Sequence, residues 1–257
     1  MKKFLHQIPG YNLGKKVYYF SSRVKHRLRN NLIPTARILL YHRIAKIKDD
    51  PYQLAVSPDN FREHLKYLKD NFRIIPLAQL VDEIKARKIV NGTIVIAFDD
   101  GYADNLHHAT PTLKELNLPA AIFITINSNS STDGQLLNNE EIRTLSELGL
   151  IEIGSHTLNH PRLSKISTTE QEKEISESKN KLQSIINRSV NSFAYPFGDK
   201  KSFTKDTINL VKKAGYHYAC ANIHERVTSR SDIYAMPRYV VRNWDLEEFK
   251  KQLKNFI

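Results

Sequence analysis

Residues 93–102 read TIVIAFDDGY. Thr93 to Phe98 is a short apolar run, rich in β-branched side chains. Such a run fits a strand covered on both faces, as in a parallel sheet. It ends in two neighbouring carboxylates, Asp99 and Asp100. Gly101 then lets the chain turn sharply, so both acids can reach one cavity. Capping of a helix that starts near Ala103 would explain one Asp, but two in sequence after a buried strand ask for more. A phosphoacceptor aspartate is the competing functional reading, and it makes little use of the histidines described next.

Outward from this stretch, strand-like runs recur at Arg37 to Tyr41, Phe72 to Ile75, Ala120 to Thr125, Leu150 to Gly154, Ser192 to Tyr195 and Tyr216 to Ala221. Helical patterns lie between them, near Leu77 to Arg87, Ala103 to Leu116, Asn138 to Leu148, Thr168 to Ile186 and Phe203 to Ala214. Ser57 reads as an N-cap, with Pro58 at the first helical position and Phe61, Leu65 and Leu68 on one face. A last helix, near Leu246 to Phe256, follows the cap Asp245. Seven strand-helix alternations in one sweep predict an α/β fold, one closed or nearly closed β/α barrel. In such barrels chemistry gathers at strand C-terminal ends, where Asp99, Asp100, His156 and Tyr195 all fall.

Ser155-His156-Thr157-Leu158-Asn159-His160 follows the fifth of these runs. Spacing i, i+4 predicts both imidazoles on one side of a helical turn. Alone the pair is weak, and a zinc-protease pair would carry Glu where Thr157 stands. With the two acids it gains weight: one carboxylate and two imidazoles can hold a divalent ion, and the other carboxylate can serve as a base. In Phe193-Ala194-Tyr195-Pro196-Phe197-Gly198, Pro196 and Gly198 set a turn after a strand. Such a turn can aim a backbone N–H at an oxyanion, or it can simply end the strand.

The charge is uneven. Of 39 Lys and Arg against 27 Asp and Glu, twelve basic residues and no acid lie within 1–48. The basic excess therefore belongs to an N-terminal arm. There Val17, Phe20, Val24 and Leu28 repeat at helical spacing among Lys15, Lys16, Arg23, Lys25, Arg27 and Arg29. A basic amphipathic helix of this kind fits an anionic membrane surface or packing on the body; nucleic acid lacks a base-reading motif here. Cys220 is the single cysteine, which excludes an internal disulfide framework. No signal peptide is visible, so a cytoplasmic location is expected, with the arm peripheral on the inner membrane.

The segments AFDDGY, SHTLNH and AYPFGD, in this order, resemble the three motifs of the polysaccharide deacetylases, the NodB-homology carbohydrate esterases of family four. The resemblance runs from about Arg37 to the C-terminus. It implies a distorted (β/α)7 barrel and metal-dependent removal of acetyl groups from N-acetylated sugars. It implies a NodB-like catalytic domain at 34–257, which leaves the basic amphipathic arm read from the charge pattern as a separate segment at 1–33. By position, Asp99 resembles the family's base, and Asp100, His156 and His160 its metal triad. Tyr195 and Pro196 fall in the substrate groove, with a main-chain oxyanion donor near Tyr195. Trp244 resembles a groove tryptophan of the fourth motif, with simple packing against the last helix as the other reading.

Two departures stand out. The family's base-orienting Arg is replaced by Ala194, and Arg238, which also counts among the substrate-contacting candidates, can take its place. No Leu-x-His copy of the catalytic acid appears near the C-terminus. Leu39-Leu40-Tyr41-His42 occurs early instead, as in the circularly permuted branch, which makes His42 the leading acid and His224 the second candidate. The other histidines, including His64, His107, His108 and His217, read as surface or packing residues.

The expected cofactor is Zn²⁺, with Co²⁺ or Ni²⁺ as substitutes. The expected substrate is an N-acetylated sugar or polysaccharide precursor of envelope glycan, lipid-linked or nucleotide-linked. Neither nucleic acid nor a specific protein partner is inferred. The rival readings are a catalytically silent sugar-binding barrel and a metal-dependent hydrolase of some other amide.

Overall fold

β1 (Thr35–Tyr41) is buried at every position, as a strand sandwiched between layers must be. Beside it runs β5 (Thr93–Phe98), also buried throughout. The two are parallel, in register from Ala36 opposite Thr93 to Tyr41 opposite Phe98. That register places His42 beside Asp99, the first residues past each strand. The computed structural model describes residues 34–127 and 135–255. The amphipathic arm read over 1–33 lies outside them.

The remaining elements follow in order: β2 (Arg43–Ile44), β3 (Ala55–Val56), α1 (Pro58–Asn71), β4 (Arg73–Ile74), α2 (Leu77–Lys85), then β5. After β5 come a π-helical turn (Asn105–Ala109), α3 (Thr110–Leu116), β6 (Ala120–Ile124), α4 (Asn139–Glu147) and β7 (Ile151–Ser155). The chain continues through α5 (Thr168–Ile186), β8 (Ser192–Ala194), α6 (Lys205–Lys213), β9 (Tyr218–Cys220), β10 (Val227–Thr228), β11 (Tyr239–Val240) and α7 (Leu246–Asn255). Seven α-helices thus stand among the described residues, as the alternation predicts. Ser57 caps α1, its side chain accepting from the Asn60 N–H, and Asp245 caps α7 through the Glu248 N–H.

The main sheet runs β10-β1-β5-β6-β7-β8-β9, with β11 also paired to β1 and β4 to β5. The segment 236–241 draws its two edges together. Met236 bridges Cys220 of β9, and β11 pairs in parallel with β1, Leu39 opposite Tyr239. The sheet therefore curls into a (β/α)7-type barrel. Arg238 sits in the closing segment, between the two pairings.

Strand alternation divides the core. Leu39, Tyr41, Ile94, Ile96 and Phe98 pack with Phe61 and Leu65 of α1, Leu145 of α4 and Leu182 of α5. Ile38, Leu40, Val95, Ala97, Ala121, Phe123, Ala194 and Cys220 form the other layer, with Leu77, Leu80 and Val81 of α2 packed into it. Small residues leave room there for Phe123. A Cβ on Gly154 would stand 2.4 Å from the Phe123 ring, so only glycine lets that ring lie against β7.

The helix expected from Ala103 to Leu116 is not uniform. It opens with the π-helical turn, where the Thr110 side chain donates to the Asn105 carbonyl. Pro111 has no N–H to sustain a regular ladder at this point. The two-residue strands β2, β3, β10 and β11 were not expected; each is too short to show a period.

Candidate metal centre and active site

Asp100 leaves β5 with φ 72° and Gly101 follows with φ 78°. Two left-handed residues in succession turn the chain back over the strand end. This brings Asp100 Oδ1 to 3.5 Å from His156 Nε2 and 3.3 Å from His160 Nε2. The two Nε2 atoms are 3.2 Å apart. The helical turn expected for 156–160 is not there. Thr157 and His160 are themselves left-handed, at φ 71° and 56°. A tight loop, closed by the His160 N–H donating to Thr157 Oγ1, brings the imidazoles together instead.

His156 Nδ1–H donates to the Ala194 carbonyl at 2.8 Å. That bond fixes the tautomer and leaves a lone pair on Nε2. Burial holds the ring well below the usual imidazole pKa, at about 3, against the pull of the Asp99 charge. His160 is shifted down by burial as well. Two neutral nitrogens and a carboxylate oxygen thus converge with their lone pairs facing each other, an arrangement that calls for a cation. Ligands held at about 2.0–2.1 Å around a tetrahedral ion stand about 3.3–3.4 Å apart. The three observed separations fit that spacing, and the three ligand atoms, all within 4.8 Å of one another, could hold one ion.

Asp99 lies beside this group, its Oδ2 3.8 Å from His156 Nε2. Both of its oxygens are held elsewhere. Arg238 grips them with two bonds of 2.7 Å, and its second nitrogen also donates to Asn222 Oδ1 at 2.8 Å. Burial works to raise the Asp99 pKa, but the guanidinium and His156 outweigh it and hold the carboxyl at about 2. Asp100, pushed up by burial and by the Asp99 charge, sits at about 7 without a metal. Two adjacent carboxylates are thereby driven apart in pKa. The neighbouring segments are strained too: Phe197 has φ 63°, and left-handed non-glycine residues gather where structure serves a site.

A cavity of about 490 Å³ opens above the cluster. His42, Asp99, Asp100, His156, His160, Phe197 and Asn222 are among its lining residues. His42 is nearly buried, and burial lowers its pKa to about 4 despite Asp99. Its carbonyl accepts from Asn105 Nδ2 at 2.8 Å. The second acid candidate, His224, is exposed and packs against Tyr239, away from the cavity lining.

Four expectations need correction. Tyr195 does not face substrate: its ring stacks on Phe203 and its hydroxyl donates to the Tyr234 carbonyl. Its N–H is spent on the Cys220 carbonyl, one residue past the end of β8, beyond the Ala194–Cys220 pairing. Pro196 is buried and has no N–H, so the next amide along this turn is that of Phe197, a residue that lines the cavity. Arg238 grips Asp99, as expected of the residue that takes the place of the family's base-orienting Arg, but it is fully buried and does not touch substrate. Trp244 lies against the core, takes a bond from His64 Nε2 on its carbonyl, and lines a neighbouring cavity instead. Asn222, which also donates to the Phe197 carbonyl, was not anticipated, since nothing in its local sequence marks it.

A barrel carrying an Asp-His-His group and an Arg-held carboxylate at its strand ends is the frame of a metal-dependent hydrolase. A model of the polysaccharide deacetylase family matches residues 87–219. The chain belongs to that family and is a metal-dependent carbohydrate N-deacetylase. It is 27% identical to YxkH of Bacillus subtilis, provisionally described as a polysaccharide deacetylase, over 78% of this chain and 69% of that protein. It is 25% identical to the poly-β-1,6-N-acetyl-D-glucosamine N-deacetylase of Staphylococcus aureus, over 79% of this chain and 73% of that one. Among solved structures, the Streptococcus pyogenes deacetylase PplD, in complex with acetate, superposes with a TM-score of 0.75 at 20% identity, covering 88% of this chain and 99% of its own. A polysaccharide deacetylase from Bacillus cereus gives 0.73 at 27% identity, covering 86% and 69%.

Proposed function

We propose that this deacetylase acts on N-acetylglucosamine units of an envelope glycan or its precursor, with Zn²⁺ held by Asp100, His156 and His160. The observation that carries the reading is Asp99: ionised, gripped by Arg238, and 3.8 Å from the metal-facing nitrogen of His156. When bound, the ion supplies Lewis acidity and a water of lowered pKa. Asp99 accepts the proton of the attacking water. The Phe197 N–H donates to the acetyl oxygen as negative charge grows there. His42, once its ring carries a second proton, passes that proton to the leaving nitrogen, because an amide nitrogen leaves poorly as an anion. A position for the acid at the end of the first barrel strand fits the circularly permuted branch of the family.

The Staphylococcus aureus relative favours a β-linked N-acetylglucosamine polymer over a nucleotide-linked sugar. Mass spectrometry of candidate glycans, incubated with protein and Zn²⁺, should detect loss of one acetyl unit. Asp99→Asn protein should leave them intact. No loss from any N-acetylated sugar would overturn the reading.

We further propose that residues 1–33 lie on the inner face of an anionic membrane, close to the substrate's carrier. The carrying feature is twelve basic residues and no acid within 1–48. Removal of residues 1–30 should abolish binding to anionic vesicles; unchanged binding would exclude the arm as anchor.

A further inference from the structure

His156 and His160 reach the metal position by different routes. His156 is mounted on the sheet. Its N–H donates to the Ile124 carbonyl at 2.8 Å, and its ring is bonded to the Ala194 carbonyl. His160 stands four residues further on, in a loop whose backbone is unfavourable by itself. Thr157 is β-branched yet left-handed at φ 71°, and His160 is left-handed at φ 56°. Such conformations last only where surrounding bonds enforce them. The place of the His160 ring therefore depends on what holds the loop 157–160.

One carboxylate from outside the loop takes its amides. The Leu158 and Asn159 N–H groups both donate to Glu174 Oε2, each at 2.9 Å. The Asn159 side-chain amide donates to Glu174 Oε1. Both oxygens are thus committed to the loop, in bonds that the negative charge strengthens. The loop's carbonyls are taken up separately: Thr157 and Leu158 accept from the Ile126 and Asn127 amides at 3.3 and 2.7 Å. Glu174 has a firm base in α5. Its neighbour Ile175 is fully buried. One turn further on, buried Ser178 accepts from Ser155 Oγ, at the end of β7, at 2.8 Å. The helix therefore grips the chain just before His156 and again just before His160. Glu174 is not among the residues lining the cavity over the cluster, so contact with substrate does not account for it.

Resting on the assignment of Asp100, His156 and His160 as metal ligands, we propose that Glu174 is the positioning residue for His160. It turns a strained loop into a fixed arm, so the third ligand is in place before the ion arrives. Without this carboxylate the two amides lose their acceptor. Thr157 and His160 then relax toward ordinary backbone angles, and the His160 ring leaves the other two ligands. His156 keeps its mount on the sheet, so the preformed site shrinks from three ligands to two. Binding must then reorder the loop, and the apparent affinity falls with the fraction of molecules in the competent arrangement.

The test is the Zn²⁺ affinity of the full chain, measured by chelator competition on metal-free protein. Wild type is compared with Glu174→Gln and Glu174→Ala. Glu174→Gln keeps the size, but either orientation of its amide sets an NH₂ group against a donor of the loop. Affinity should fall by about 10–100-fold, the usual effect of losing a partner that orients a ligand. Acetate release by Glu174→Gln should be low at limiting Zn²⁺ and recover toward the wild-type kcat at saturating Zn²⁺. Ile175→Val is the control. It loosens the packing of the same helix, so it should lower the melting temperature and leave Zn²⁺ affinity unchanged. If Glu174→Ala does not fold, Glu174→Gln carries the comparison. Wild-type affinity in folded Glu174→Gln would overturn the inference and leave the metal assignment standing. So would an equal loss of affinity in Ile175→Val, which would make the effect one of general stability. A wild-type chain that binds no Zn²⁺ would overturn both.

Discussion

Arg238 and Asp99, 139 residues apart in the chain, meet in a fully buried bidentate pair with both N···O distances 2.7 Å. The pair keeps the carboxylate charged where burial alone would neutralise it. Arg238→Met would leave that charge unpartnered, and stability should fall by about 3–5 kcal/mol. The Asp99 pKa should rise from about 2, so the acid limb of the kcat/KM profile moves to higher pH. In the wild-type chain the depressed pKa stabilises the fold above the ordinary carboxylate range, about 4, and this contribution disappears as pH falls toward about 2. Denaturant melts and a pH–rate profile measure both effects. An acid limb that stays put would show that Arg238 does not set the charge of Asp99.

Asp99 and His156 should separate base from ligand. Asp99→Asn is expected to lower turnover by about 10²–10⁴-fold while metal content is retained. His156→Ala should lose metal and activity together. Elemental analysis of both proteins decides; loss of metal from Asp99→Asn would make Asp99 a ligand.

Metal uptake should depend on pH through Asp100. Its carboxyl sits at about 7 without the ion, and a ligand must be deprotonated. His156, at about 3, is already neutral. Below pH 7 affinity for Zn²⁺ should therefore fall by up to about tenfold per pH unit, with close to one proton released per ion bound. Calorimetric titration at pH 6 in buffers of different ionisation enthalpy counts that proton. Binding without proton release there would contradict the assignment.

His42 should matter in proportion to how badly the leaving group leaves. His42→Ala should cut amide hydrolysis by about 10²–10⁴-fold and leave hydrolysis of an activated aryl acetate much less affected. Equal loss on both substrates would point to a structural role for His42 instead.

Gly154→Ala should act at a distance. The added carbon would meet the Phe123 ring at 2.4 Å, and that ring lies 5.4 Å from the Arg238 guanidinium. Overpacking here is expected to lower stability by about 1–3 kcal/mol and to lower kcat with Zn²⁺ content intact. Thermal melts and steady-state kinetics on one preparation test this; an unchanged kcat would show that Phe123 does not support Arg238.

The sequence by itself determined what local patterns can determine. Burial on two faces makes an unbroken apolar run, so β1, β5 and β6 are legible as strands. Capping chemistry is also local, so Ser57 and Asp245 announce their helices. The Asp99-Asp100 and His156-His160 pairs were visible because each follows such a strand, where a barrel gathers its chemistry. Only the tertiary structure decided the rest. Arg238 meets Asp99 because a two-residue strand, too short for any period, closes the barrel between β9 and β1. Tyr195 cannot offer its amide to the cavity because that N–H is spent on the Cys220 carbonyl of the neighbouring strand, a pairing the local sequence does not show. The early loop that carries Tyr52 is held by Arg242, from the far end of the chain, which donates to the Tyr52 and Gln53 carbonyls. Such contacts leave no mark in the neighbouring sequence, since their energy is realised only when distant backbone is brought within bonding distance.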